Sequence, residues 1–189
     1  MVSIKDKKDS VSKMKELGLN YFPLEVFSVK DEEGIKNFID NNPANEYVMR
    51  SANKAKGDFF FVKNFKEAKE KLHMFEQDVT LCVSYNEFKE DIVLVGDIIV
   101  HKSYGNETID LTARTDTEAT HRNIYEKPEY NIHTSIEDDK FWDIPGISKI
   151  MRYISDHELY NMIVEFAVYS IRIGINKENV VISEIRTQY

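Results

Sequence analysis

The sequence predicts an α+β chain, with antiparallel sheets and helices packed on them. Two observations carry this. Helical and strand periodicities are mixed along the chain, but they do not alternate one for one as a doubly wound parallel sheet requires. The chain also ends on two apolar runs flanking Gly174, the pattern of a terminal hairpin. With 189 residues, 42% of them hydrophobic, it suits one compact domain, or two apposed lobes of about 1–85 and 86–189.

The elements follow in order. Val11, Met14 and Leu17 recur at helical spacing, and Gly18 stands where that helix stops. Asn20 to Phe27 reads as extended, punctuated by Pro23. Asp31 to Ile39 reads as a helix with Ile35, Phe38 and Ile39 on one face, and Pro43 breaks the chain after it. Glu46 to Arg50 and Asp58 to Val62 read as short strands. Asn64 and Glu67 form a capping box, opening a helix whose Phe65, Ala68, Leu72 and Phe75 face the core. Val79 to Tyr85, Ile92 to His101 (interrupted by Gly96) and Thr108 to Ala113 are strands. From Arg114 to Lys140 the apolar signal collapses, which predicts a functional or mobile polar insert. A helix follows Pro145 through Ile147, Ile150, Met151 and Ile154. Asp156 is expected to cap a second helix through Met162. Val164 to Ser170 and Val180 to Arg186 are the closing strands, expected in one sheet with Glu46 to Arg50 or its neighbours.

Composition excludes several classes. No run approaches the length of apolar residues a membrane span needs. The opening residues are charged and carry no secretory h-region, so a cytoplasmic setting is expected. A single cysteine, Cys82, excludes an internal disulfide framework and a Cys-based zinc site; in its apolar strand it reads as a small core residue. The net charge of −8 disfavours a nucleic-acid partner, whose phosphates call for a basic surplus. Neither GxGxxG nor GxxxxGK[ST] occurs, so any phosphate must be held mainly by side chains.

Three constellations could carry chemistry. In EYVMRSANKAKGDFFFV, Arg50, Lys54 and Lys56 lie on a loop between two strands. Arginine offers a planar fork of donors and lysine a point charge, so the three suit a polyphosphate; a solvated hairpin tip is the plainer alternative. In the terminal hairpin, Glu165 and Glu184 each stand inside an apolar strand. Carboxylates so placed are rarely buried unpaired. A shared Mg²⁺ would reconcile them. Alternatively, each points to solvent or pairs with Arg186 or Arg172. In the polar insert, Arg114, His121, Arg122 and Asn123 would line an anionic site, or belong to a charged loop.

Taken in order, these segments resemble the ATP-grasp fold. KMKELGLNYFPLEVFSV resembles its entry segment, and EYVMRSANKAKGDFFFVKNFKEAKEKL its strand, phosphate-covering loop, strand and helix. Arg50-Ser51 is similar to the arginine motif of the pyruvate phosphate dikinase and phosphoenolpyruvate synthase branch. ARTDTEATHRN resembles the Arg…Arg-Asn segment of ligase-type members, and VEFAVY…VVISEIRTQY the two metal-binding strands. The resemblance implies ATP and Mg²⁺ as cofactors. Arg50, Lys54, Lys56, Arg114, Arg122 and Arg186 would stand at the nucleotide, and Glu165, Glu184 and Asn123 at the metal. It implies a Mg-ATP-dependent ligase or phosphotransferase, its acceptor a small molecule or a protein. A non-catalytic scaffold of the same shape is the first alternative. An RNA-binding or RNA-processing protein, resting on the basic loop and the aromatics, is the second. A homo-oligomer is left open.

Overall fold

The computed structural model describes residues 4, 6–53, 58–103, 106–115 and 128–187. Lys54, Lys56, His121, Arg122 and Asn123 therefore lie outside the described residues. The elements are α1 (Lys7–Glu16), β1 (Leu24–Ser28), α2 (Glu32–Asn41), β2 (Tyr47–Ser51), β3 (Phe59–Val62), α3 (Phe65–Lys71) and β4 (Asp78–Val83). After a short 3-10 segment, Tyr85–Asp91, come β5 (Ile92–Ser103), β6 (Asn106–Arg114), β7 (Tyr130–Ser135), α4 (Asp139–Trp142), α5 (Ile147–Asp156), β8 (Met162–Ile173) and β9 (Glu178–Thr187).

Two sheets form, with every neighbouring pair of strands antiparallel. The first has the order β1-β4-β2-β3 and the second β7-β6-β5-β8-β9. The class is α+β, as expected. Sheet membership differs from expectation: the closing strands β8 and β9 lie in the second sheet and β2 in the first. Apolar runs mark strands but do not say which distant strand each one joins.

Alternation gives each sheet two faces. In β2, Tyr47 and Met49 are buried with Ile35, Phe38 and Ile39 of α2 and Ala68 of α3. Asn64 caps α3, accepting from the Glu67 N–H at 3.0 Å, as the capping box requires. In the second sheet, Leu94, Ile98, Val164, Phe166 and Val168 are buried with Ile147, Ile150 and Ile154 of α5, and Val11 and Met14 of α1 belong to the same core. The opposite face contributes Ile92, Val95, Tyr169 and Val181 to the first sheet's core, so the two sheets share apolar contact. Gly96 lets β6 approach: a Cβ there would meet the Thr112 carbonyl oxygen at 2.3 Å.

Two further expectations are corrected. Residues 157–161 form turns, not a second helix. Glu158 and Asn161 take positive φ, which buries Leu159 and lets the Asn161 N–H reach the Val100 carbonyl at 2.9 Å before β8 begins. The polar insert also contains structure, because β7 pairs along β6 from Ala113–Tyr130 to Thr108–Ser135. Its apolar signal is faint because it is an edge strand packing only Tyr130 and Ile132 against the core.

The terminal hairpin is pinned by Asn20, which is fully buried. Its amide donates to the Ile173 and Val180 carbonyls at 2.9 and 2.7 Å, and its Oδ1 accepts from the Asn176 N–H at 2.9 Å. Burying that amide is tolerable only because its bonds are made. Among the described residues, no helix is long and apolar enough to cross a membrane.

Candidate functional site

The sheets face one another across a cleft. Alternation puts Val48 and Arg50 of β2 on the side of the first sheet away from α2 and α3, level with Cys82 and Thr80 of β4. From the second sheet come Val95, Ala167, Tyr169 and Val181, and Tyr85 of the connecting segment closes the lining between them. The surface is mostly apolar. Burial pushes the Cys82 thiol up to about 12, so it is an inert lining group and not a nucleophile.

Arg50 breaks this apolar lining from the first sheet's side, as Lys7 and Glu184 do from the other. It is half-buried and lines the cleft, and among the described residues no carboxylate pairs with it. Its charge is felt by Cys82 and Tyr85, drawing both pKa values down against the larger upward push of burial. A guanidinium in an apolar slot, with its donors unspent on protein acids, suits a flat apolar ring that carries an anionic tail.

The second sheet presents an acidic row. Asp97 of β5 is opposite Glu165 of β8, and Glu165 is opposite Glu184 of β9. Glu165 and Glu184 thus meet across the hairpin. Arg186 lies among the three: its Nη2 donates to Glu165 Oε1 at 2.6 Å and lies 3.9 Å from Asp97 Oδ2, while its Nε is 3.6 Å from Glu184 Oε1. Lys7 of α1 donates to the other oxygen of Glu184. Arg172 is exposed and takes no part in the row. Burial, then the charge of Glu165, pushes the Asp97 carboxyl up to about 8, although Arg186 draws it down; its Oδ1 accepts no hydrogen bond.

Asp97 is absent from the sequence-based candidates. It stands in VLVGDIIV, an apolar strand, so the criterion that marks Glu165 and Glu184 also marks it. Arg114, at the end of β6, is level with Val95 and therefore on the cleft face of the sheet.

An adenine nucleotide suits the cleft, because apolar walls and an available guanidinium occur together. A Mg²⁺ ion does not suit the acidic row as it stands. Both expected ligands, Glu165 and Glu184, have oxygens engaged by cationic side chains, and among the described residues no group of His, Cys, Asp or Glu is arranged to hold a metal.

No family model and no curated protein sequence matches the chain. Solved structures do. D-alanyl-alanine synthetase A from Vibrio cholerae is 10% identical, with a TM-score of 0.53 over 96% of this chain and 54% of its own. N5-carboxyaminoimidazole synthase from Aspergillus clavatus, solved with ADP and 5-aminoimidazole ribonucleotide, is 10% identical at a TM-score of 0.58, over 97% of this chain and 44% of its own. The biotin carboxylase domain of 2-oxoglutarate carboxylase from Hydrogenobacter thermophilus, solved with MgADP, ADP and bicarbonate, is 15% identical at 0.53, over 98% and 40%. This chain thus spans about half the length of the structures it matches. They are ATP-grasp enzymes, and none of the three is of the dikinase branch, so the finer resemblance drawn from Arg50-Ser51 is not supported. With two antiparallel sheets about a cleft and these neighbours, the chain has an ATP-grasp-like α+β fold.

Proposed function

We propose that the cleft binds an adenine nucleotide and that the protein acts as an ATP-dependent ligase or phosphotransferase. The observation that carries the reading is Arg50, a cation without an acidic partner among the described residues, in an apolar cleft between the sheets of an ATP-grasp-like fold. The base would lie against the apolar lining. Arg50 would hold phosphate, joined by Lys54, Lys56, Arg114 and Arg122. Catalysis on such a plan is positioning and charge stabilisation, and needs no nucleophilic side chain. The acceptor is a small molecule or a protein group. In contrast to the roles the resemblance implies, and in line with the ion-pair alternative, Arg186, Glu165 and Glu184 act on one another in this reading and not on phosphate or metal.

Calorimetric titration with ATP tests it. Arg50→Ala should weaken binding by about 1.5–3 kcal/mol, the scale of a hydrogen bond to a charged group, and leave folding intact. Unchanged affinity in a folded variant returns Arg50 to a solvated hairpin. One observation favours a second reading, a non-catalytic binding protein of the same shape: Glu165 and Glu184 of the acidic row are already paired with Arg186 and Lys7. ADP release from bound ATP separates the two, since a binding protein returns its nucleotide unchanged.

A further inference from the structure

Three carboxylates on adjacent strands repel unless positive charge lies among them. Here that charge belongs to the chain itself. Arg186 spans the row, bonded to Glu165 and within ion-pair distance of Glu184 and Asp97. Lys7 takes the remaining side of Glu184. Neither cation is loosely placed. Arg186 stands in β9, two residues from Glu184 on the same strand, and Lys7 opens α1. That helix is tied to β9 where the Ile185 N–H donates to the buried Ser10 hydroxyl at 2.9 Å. It is also tied to the first sheet's side by the Lys8 N–H, which donates to the Ala52 carbonyl at 3.3 Å.

Each of the two expected metal ligands is already engaged by a cation of the chain: Glu165 by Arg186, and Glu184 by Arg186 and Lys7. A divalent ion entering this row would have to displace a guanidinium from at least one carboxylate and leave that guanidinium without its partner. Partly buried charges resist such separation.

We infer that Arg186 and Lys7 are resident cations that take the place of a divalent metal on the Asp97–Glu165–Glu184 row, so that the cleft takes up its polyphosphate ligand metal-free. The first half of this stands on the row's own geometry; the second half rests on the nucleotide reading above. Phosphate charge is then met by Arg50, which the row does not engage.

The test uses the full chain with Mn²⁺ as probe, free ion being read by electron paramagnetic resonance, and ATP calorimetry in EDTA and in excess Mg²⁺. The parent should leave Mn²⁺ free and bind ATP in EDTA at least as tightly as in Mg²⁺. Arg186→Gln opens the carboxylates and should tighten Mn²⁺ binding by about tenfold or more, an effect abolished by adding Glu184→Gln. Should Arg186→Gln fail to fold, Asp97→Asn with Arg186→Gln puts an amide that cannot ionise opposite Glu165 and serves the same comparison. Mn²⁺ binding by the parent that Glu184→Gln abolishes would overturn the inference. So would a folded Arg186→Gln variant, single or double, that still leaves Mn²⁺ free, or ATP bound only with Mg²⁺. ATP bound under neither condition removes the nucleotide reading and the metal-free half with it, while the Mn²⁺ arm still decides what holds the row.

Discussion

Asp97 and Asp110 lie on one face of the same sheet, yet their environments push them in opposite directions. Asp110 is opposite Ile99 on β5, and Ile99 shares its face with Asp97 two residues away. The Asp97 side chain is 11% exposed and that of Asp110 is 41% exposed. Burial and Glu165 drive Asp97 up to about 8. Burial also pushes Asp110 up, but the hydrogen bonds to His133 and His101, at 2.5 and 2.6 Å, outweigh it and hold the carboxyl below its usual range. The lesson is that partner number alone does not set a carboxylate's charge. Asp97 has the nearby guanidinium and remains the more easily protonated, because desolvation and a second carboxylate dominate at low exposure.

The largest expected effect is at the buried row. Arg186→Gln leaves Glu165 and Glu184 facing each other without their shared cation, and should lower stability by about 3 kcal/mol in urea denaturation at neutral pH. A loss well below that would put the row in the same class as the exposed trio around Asp110.

Asp97→Asn comes next and sharpens the contrast through pH. Because the folded pKa of Asp97 lies above the unfolded value, its contribution to stability is full below about pH 4 and is lost as pH rises through about 8. Glu165, Glu184 and Arg186 face it, and their charges are part of that balance. The asparagine variant cannot ionise. It should show a flatter stability profile between those limits and exceed the parent by on the order of 2 kcal/mol at pH 9. Profiles that run parallel would show that Asp97 is charged in the fold already.

Asp110→Asn should matter least. Its pairs are largely solvated, so the cost should be under about 1 kcal/mol and should shrink further in high salt. The sign is opposite to that at Asp97. A lowered pKa gives stability that is present above the usual carboxylate range and lost on acidification, so the deficit of the variant should fade as pH falls. A deficit that grows in acid would reverse the comparison.

Much of this was legible in the chain itself. The capping box at Asn64 and Glu67, the stop at Gly18 and the alternation of Val48 and Arg50 against Tyr47 and Met49 are local. They follow from backbone stereochemistry and hydrophobic period within a few residues. The apolar strands carrying Glu165 and Glu184 likewise announce a closing hairpin, while their facing register is a finding of the structure. Arg186 is a partner the sequence already offered; tertiary structure decided that it spans the row and what else those acids meet. The register of β5 against β8 brings in Asp97, the bulge between Glu165 and Phe166 fits the two strands together, and the docking of α1 on β9 delivers Lys7 from the far end of the chain. Which charge neutralises another depends on distances between segments separated by up to 177 residues. Local sequence patterns carry no information about such distances, because they are set only when the sheets pair and the helices pack.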